Sequence, residues 1–542
     1  MKTLLLLLLV PILFVSLAFG VEHRVPEDFA KIQSAIEAAE DGDRVLIADG
    51  NYRERLNFLG KAITVCGNLD APERVIIKPD TAGSIVVFKN GEGAETVLCG
   101  VHLRGALTDY GGGVYIKDAS PTLDHLIIDS CTVTKNGGGI YLTGNCETNL
   151  DNIRLSANNA NNGGGLCFYD GANSRVTNIS FDYCKTVNYG GAVYSRNSTL
   201  AFEHIVADCC VARGGGGMYF TGASAVNLND ITLSRNYANN NESGGGGIGC
   251  GSQTIILAND IEILNCTSSG SGGAIHMSDD AQLRMTSFYL SQNKERGGGT
   301  IVFYSRSALD LDNGTIRGSD RAIYLYGSGN CNLNHILFTD NESVIFLQSA
   351  GQMTGQSLTL TKNGPGTLIS TAMCDMTLKN CIMWDNSGKP FSGDLDHDDV
   401  FVDVSYSNVP PLDVWADPAV VFGEGILNED PLFRDPANGN FRLQPGSPCI
   451  DTGDPNLPPD PDGSRADMGC YPFMNLGIAR GIVTTMNENP QPIDSAKVVT
   501  DFGYTTFTDE EGHFVIPMVE LPLFSISVTK TGYRPASAEG LQ

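Results

Sequence analysis

The stretch NGGGIYLT, residues 136–143, returns as NGGGLCFY at residues 162–169, and variants of it run along the middle of the chain. Eight glycine runs mark the pattern: 111–113, 137–139, 163–165, 190–191, 214–217, 244–247, 272–273 and 297–299. The apolar residue opening each following stretch is Val114, Ile140, Leu166, Val193, Met218, Ile248, Ile275 and Ile301, in steps of 25–30 residues. The series continues without glycines at Ile323, Ile345 and Leu368, in steps of 22 or 23. A regular period in this range marks stacked repeats, none of which can bury its own apolar face alone.

A second register runs through the same repeats. Cys131, Asn158, Cys184, Cys210, Asn236, Cys266, Asn293, Asn341, Asn363 and Asn386 share one column. Five and three positions upstream lie apolar columns such as Leu126/Ile128, Ile153/Leu155 and Ile231/Leu233. A two-residue spacing is strand periodicity, and no segment has helical spacing in every repeat. The predicted fold is all-β: a right-handed parallel β-helix whose columns stack from coil to coil. Asn in the turn column is expected to adopt the left-handed conformation and to bond to its counterpart in the next coil. Cys there would be a small buried plug. The glycines mark close backbone approach. None of their runs ends in Lys-Ser/Thr or opens a helix, which argues against a phosphate-cradling loop.

The segment FAKIQSAIEAAEDGDRVLIADGNY, residues 29–52, followed by GKAITV at 60–65, resembles the N-terminal cap and first coil of pectate-lyase-like right-handed β-helix proteins. Phe29, Ile32, Ala35, Ile36 and Ala39 make one apolar face of a short predicted helix, as a cap over an open solenoid end requires. The resemblance covers most of residues 22–473. Three pieces, DPLF (430–433), DPANGNFRL (435–443) and PGSPCID (445–451), resemble the closing module that follows many bacterial secreted β-helices. After Phe473 the repeat is lost. Gly481-Ile482-Val483, Ala496-Lys497-Val498, residues 508–514 and Lys530-Thr531-Gly532-Tyr533 resemble a carboxypeptidase regulatory-like β-sandwich, which implies a spacer rather than a peptidase. The expected organisation is thus a signal peptide (1–20), the β-helix with its N-terminal helical cap (21–408), the closing module (409–473) and a small antiparallel β-sandwich (476–542), which is either one strand short of its family or part of a longer protein.

Residues 1–20 carry Lys2, an apolar run Leu4–Leu17 and a small-x-small site at Ala18–Gly20, which reads as a cleaved secretory signal. No later stretch could span a membrane, so the expected location is extracellular or on the cell surface. A net charge of −27 argues against nucleic-acid partners and mildly against polyanionic glycans. Among 15 cysteines, those of the turn column are expected to be free, while Cys449 and Cys470 stand apart as an expected disulfide. Asp454, Asp460, Asp462 and Asp467 lie on one Pro-rich loop. Calcium coordination there and solvated turn carboxylates are alternative readings.

The residue after each leading apolar should face outward. That column holds Tyr115, Tyr141, Cys167, Tyr194, Tyr219, Gly249 and His276; two residues on come Lys117, Thr143, Tyr169, Arg196 and Thr221. Tyrosine rings with polar neighbours suit sugar rings, so Tyr115, Tyr141, Tyr194, Tyr219, Lys117 and Arg196 are the expected ligand contacts. The plain alternative is that the rings stack on one another and stabilise the sheet. Catalysis would need a Lys or Arg base for β-elimination, the rule the resemblance implies, or two opposed carboxylates for hydrolysis. Asp118, Asp170, Asp279 and Asp280 cluster past the same strands, and Lys294, Glu295 and Arg296 form a charged loop, but none aligns with a known catalytic motif. His125, His204 and His335 fall in a polar turn column, too far apart to share a metal. Three functions remain open: polysaccharide binding or adhesion through the exposed sheet, a polysaccharide lyase or glycoside hydrolase, and a structural spacer.

Overall fold

A computed structural model describes residues 20–240, 244–348, 351–372, 374–392, 402–410, 420–474, 476–485, 490–500, 505–520, 524–530, 533 and 536–541. Most of the expected signal peptide, and part of the final Gly-Tyr motif, lie outside them. The chain divides into two compact units, residues 1–283 with 293–302, and residues 284–292 with 303–542.

In the first unit each full coil has three strands. One coil runs Thr122–Asp129, Thr132–Asn136, Ile140–Thr143; the next runs Asn149–Ser156, Asn159–Asn162, Leu166–Tyr169. Every strand pairs in parallel with its counterpart one coil on. Leu126 lies beside Ile153 and Ile128 beside Leu155, so both apolar columns stack and are fully buried. The long strand bends at its middle. His125, Asn152, Asn178, His204, Asp230 and Asp260 sit there with φ of 50–54 or 55°, a conformation that Asn, Asp and His tolerate best. This polar column therefore bends a strand from within, where the sequence pattern suggests a turn before it.

The turn column also differs from expectation. The left-handed residue is the one before it, as at Ala157 (φ 50°) and Arg235 (φ 53°). Asn158, Asn236 and Asn293 are instead buried connectors between coils. Each Oδ1 accepts the backbone N–H of the cysteine one coil back, Cys131, Cys210 and Cys266, at 2.8–3.0 Å. Each Nδ2 donates to a backbone carbonyl of that coil, such as Ile128 at 2.8 Å. The glycine runs supply the third corner. A Cβ on Gly216 would stand 2.5 Å from the Gly246 carbonyl oxygen and 2.6 Å from the Tyr237 nitrogen. No larger residue fits where successive backbones close that tightly.

The helix Ile32–Ala38 buries Ile32, Ala35 and Ile36, while Phe29 lies before it, half-buried. Its ends are charge-capped from a distance. Glu54 accepts from the Ile32 and Gln33 N–H groups, both at 3.0 Å, and Lys61 donates to the Ile36, Glu37 and Ala39 carbonyls at 2.7–2.9 Å. Negative charge at the N-terminus and positive charge at the C-terminus both oppose the helix dipole.

The second unit keeps the parallel coils but shortens them. Ala308–Arg317 pairs with Asn330–Thr339, and Arg321–Tyr326 with Ser343–Gln348. The strand between these two is gone from the described residues, which explains the step of 22 and the loss of glycines. Here the asparagines do touch: Asn341 Nδ2 donates to Asn363 Oδ1, and Asn363 Nδ2 to Asn386 Oδ1, both at 3.1 Å. Past the coils, Phe433–Asp435 and Asn440–Leu443 form an antiparallel pair that packs with Cys449, Met468 and Cys470 around Leu337 and Ile382.

The expected Cys449–Cys470 disulfide is not formed; both thiols are free and buried. Cys449 Sγ accepts from Asn408 Nδ2 at 3.2 Å, and burial pushes the two thiols up to about 11 and about 12. Each sulfur is accommodated as core packing, so no covalent staple is needed there. The C-terminal strands make two antiparallel sheets. Leu476–Ile482 pairs with His513–Glu520, and Lys497–Thr500 lies between Thr505–Phe507 and Phe524–Thr529. Val498, Phe514 and Ile516 are their buried centre. Among the described residues no helix is long and apolar enough to cross a membrane.

Candidate binding face

The strands after the glycine runs place both expected outward columns in register. Tyr115, Tyr141, Cys167, Tyr194 and Tyr219 are successive partners, as are Lys117, Thr143, Tyr169, Arg196 and Thr221. Exposure divides them. Tyr141 and Tyr194 keep only 6% and 7% of their surface, Tyr115, Tyr169 and Tyr219 are half-buried, and Lys117 and Arg196 are exposed.

The rings pack as one cluster, joined by two tyrosines that the outward columns do not contain. Tyr110 and Tyr189, at the ends of the preceding strands, bring their rings to 5.0 Å from Tyr141 and 4.4 Å from Tyr219. Tyr115 and Tyr169 flank Tyr141 at 5.8 and 6.5 Å, and Tyr194 stacks on Tyr219 at 6.2 Å. Burial raises the hydroxyl pKa of Tyr141, Tyr194 and Tyr219. Tyr141 and Tyr194 are therefore members of a ring cluster, not an open platform. Their pattern was legible; the cover over them was not, because it comes from another strand of the coil.

The accessible edge of this face is built around Arg196. Its guanidinium lies 5.1 Å from the Tyr169 ring centre, Nη1 donates to the Tyr169 hydroxyl at 2.5 Å, and Nε stands 3.8 Å from Asp170 Oδ1. A cation near an aromatic face with a carboxylate at its side is held flat and oriented. Asp118 and Asp170 close corners in the left-handed conformation, with φ of 48° and 47°. Asp118 Oδ1 accepts the Asn145 N–H at 3.1 Å, and Asp170 Oδ1 accepts from Asn197 Nδ2 at 2.7 Å. Both carboxylates thus join one coil to the next.

The remaining sequence candidates are dispersed. Asp279 and Asp280 also take left-handed conformations, and Asp279 Oδ2 accepts from Ser278. Lys294 and Glu295 form a short strand beside Thr267–Ser268, and Arg296 N–H bonds to the Gly270 carbonyl. The column histidines each meet a nearby carboxylate: His125 Asp124 at 2.7 Å, His204 Asp230 at 2.6 Å and His335 Asp312 at 3.1 Å. His276 is buried rather than outward, with Nδ1 2.9 Å from Ser271 Oγ, and burial lowers its pKa to about 4.

In the acidic loop Asp454 and Asp467 are buried, while Asp460 and Asp462 stay half-exposed. Asp454 is buried against Lys379 Nζ at 2.9 Å and accepts from Asn456. Asp460 accepts the Asp467 N–H at 2.8 Å, and Asp462 accepts the Ser464 N–H at 3.0 Å. Asp467 accepts the N–H groups of Asp451 and Phe473. No three His, Cys, Asp or Glu side chains among the described residues gather to hold a metal. Each carboxylate accepts at least one hydrogen bond within the loop or from the coil beside it. Burial raises Asp460 to about 6 and Asp467 to about 7.

The family described as "Right handed beta helix region" matches residues 85–261. Among solved structures, the crystal structure of pectate lyase Pel9A is similar at 13% identity, over 81% of this chain and 90% of that one, with a TM-score of 0.23. The Agl-KA catalytic domain is similar at 14% identity, over 76% of this chain and 68% of that one, with a TM-score of 0.22. No curated protein matches. The chain is, in its stacked coils, a right-handed parallel β-helix.

Proposed function

We propose that the protein is secreted or displayed on the cell surface and binds extracellular polysaccharide along the edge formed by Tyr115, Lys117, Tyr169 and Arg196. The single observation that carries this reading is the Arg196 guanidinium held against Tyr169 and beside Asp170 on an exposed face. A half-exposed ring gives the apolar surface a sugar ring covers, and the neighbouring cations and Thr143 and Thr221 hydroxyls can bond its oxygens. The net charge of −27 favours a neutral glycan over a uronate polymer. In this reading residues 476–542 are the carboxypeptidase regulatory-like spacer, and residues 409–473 close the solenoid.

Lyase or hydrolase action is the alternative. It is disfavoured on this face because Asp118 and Asp170 are engaged in coil-to-coil bonds. A passive spacer is the third reading. A panel of neutral and acidic polysaccharides, assayed for retention and for shortened or unsaturated products, separates all three. Retention of a neutral glycan without products is expected, with at least about tenfold weaker binding for Arg196→Ala. Turnover would establish the enzyme, and no retention by any glycan would leave the spacer.

A further inference from the structure

Most of the 15 free cysteines are isolated in the apolar interior, but Cys66 and Cys99 are not. They are direct register partners of two neighbouring parallel strands, Thr64–Cys66 and Val97–Arg104. Their side chains therefore leave the same face, one strand spacing of about 4.8 Å apart. That spacing falls within the Cα separation a disulfide spans, about 4.4–6.8 Å. Each cysteine is followed by glycine. Gly67 N–H donates to the Cys99 carbonyl at 2.9 Å, and Asn68 N–H to the Gly100 carbonyl at 2.8 Å. A Cβ on Gly67 would collide with the Gly100 carbonyl, so the two Cys-Gly pairs hold this approach where larger residues could not.

Both cysteines keep 6% exposure, whereas Cys184 and Cys210, another neighbouring pair, have none. The two thiols are also unequal. The neighbouring Cys99 thiol lowers the Cys66 pKa against the effect of burial, with help from Arg44, while the Cys66 thiol and burial raise Cys99. A thiolate attacks disulfides and a thiol does not, so the pair has a built-in order.

We propose that Cys66 and Cys99 form a thiol–disulfide exchange site that closes into an intercoil disulfide on meeting a low-molecular-weight disulfide. The Cys66 thiolate attacks one sulfur of the small disulfide. A new S–S bond forms to Cys66, and one small thiolate leaves. Cys99 then gives up its proton and attacks the Cys66 sulfur, and the second small thiolate departs. Two protein thiols are oxidised by two electrons, and one small disulfide is reduced to two thiols.

Full-length protein, purified reduced and then freed of reductant, is incubated with oxidised glutathione and mapped with trypsin without reduction. A linked pair of peptides 62–74 and 90–104 is expected, with an unchanged far-ultraviolet spectrum. In the folded reduced protein, Cys66 should be alkylated at least about tenfold faster than Cys184. Cys99→Ser should trap glutathione on Cys66, and Cys66→Ser should leave Cys99 at least about tenfold less modified. Should either variant fail to fold, the wild-type peptide map decides alone. Peptides 62–74 and 90–104 remaining unlinked in native protein would overturn the site. Equal labelling of Cys66 and Cys184, or glutathione accumulating on Cys99 first, would overturn its order.

Discussion

Asn158 fastens its coil to Cys131. Its Oδ1 accepts the Cys131 N–H at 3.0 Å while its Nδ2 donates to the Ile128 carbonyl at 2.8 Å, both in the dry interior. One carboxamide thus satisfies a donor and an acceptor exposed by the corner of the preceding coil. Asn158→Ala orphans both, at about 1–3 kcal/mol each. The expected loss is about 2–5 kcal/mol, read as a lower urea midpoint for the coils around residue 158. Asn158→Asp should cost more, because it buries a charge facing the Ile128 carbonyl. A loss below about 1 kcal/mol for Asn158→Ala would show that the corner is satisfied otherwise.

Gly216→Ala tests the close approach of the coils. The added methyl meets backbone atoms of Gly246 and Tyr237 at 2.5–2.7 Å, and backbone cannot rotate away. A destabilisation of about 3 kcal/mol or more is expected. Gly93→Ala is the control, since nothing lies within 4 Å of its added methyl. It should be neutral or slightly stabilising, through the lower entropy of its unfolded chain. Equal thermal midpoints for the two variants would refute the packing argument.

The ring cluster and the binding edge should respond differently to truncation. Tyr141→Ala removes a side chain with 6% exposure and contacts to Tyr110, Tyr115 and Tyr169. It should cost about 3–5 kcal/mol of stability, comparable to other large-aromatic truncations. Arg196→Ala should change stability by about 1 kcal/mol or less, since its ion pair is exposed. Thermal unfolding of both variants, beside glycan retention, separates structural from contact roles. A destabilised Arg196→Ala protein would move that residue into the first class.

The Asp460–Asp467 loop gives a pH signature. Both carboxyls have folded pKa values raised by burial, to about 6 and about 7. The folded state therefore binds more protons than the unfolded chain between about pH 4 and 7. Stability contributed here is present below the unfolded value and is lost as pH rises through the folded values. Asp467→Asn should flatten that slope. The comparison must be between wild type and variant, because Asp454, held low by its bond from Asn456 and by Lys379, contributes in the opposite sense at more acidic pH. Parallel stability–pH curves for the two proteins would remove the assignment.

Much of the coil architecture could be read from spacing alone. Leu126 stacks on Ile153, and Tyr115 on Tyr141, as their shared columns require. Asn158 proved to be a connector because the preceding Ala157 takes the left-handed turn, and column spacing is blind to a one-residue shift in which residue turns. Tyr141 and Tyr194 lost their expected exposure to a ring cluster joined by Tyr110 and Tyr189, which belong to a different strand of the coil. Cys449 and Cys470 were expected to pair but are separate pieces of one apolar cluster.

Period, strand direction and the composition of each column belong to the linear chain, because a repeat can bury its apolar residues only by placing them over those of the next. Which outward side chain is covered, which carboxylate is consumed by a corner and which two thiols face each other depend on neighbours about one full coil away in sequence. Those pairings arise only when the coils close, as with Arg196 on Tyr169 and Cys66 beside Cys99.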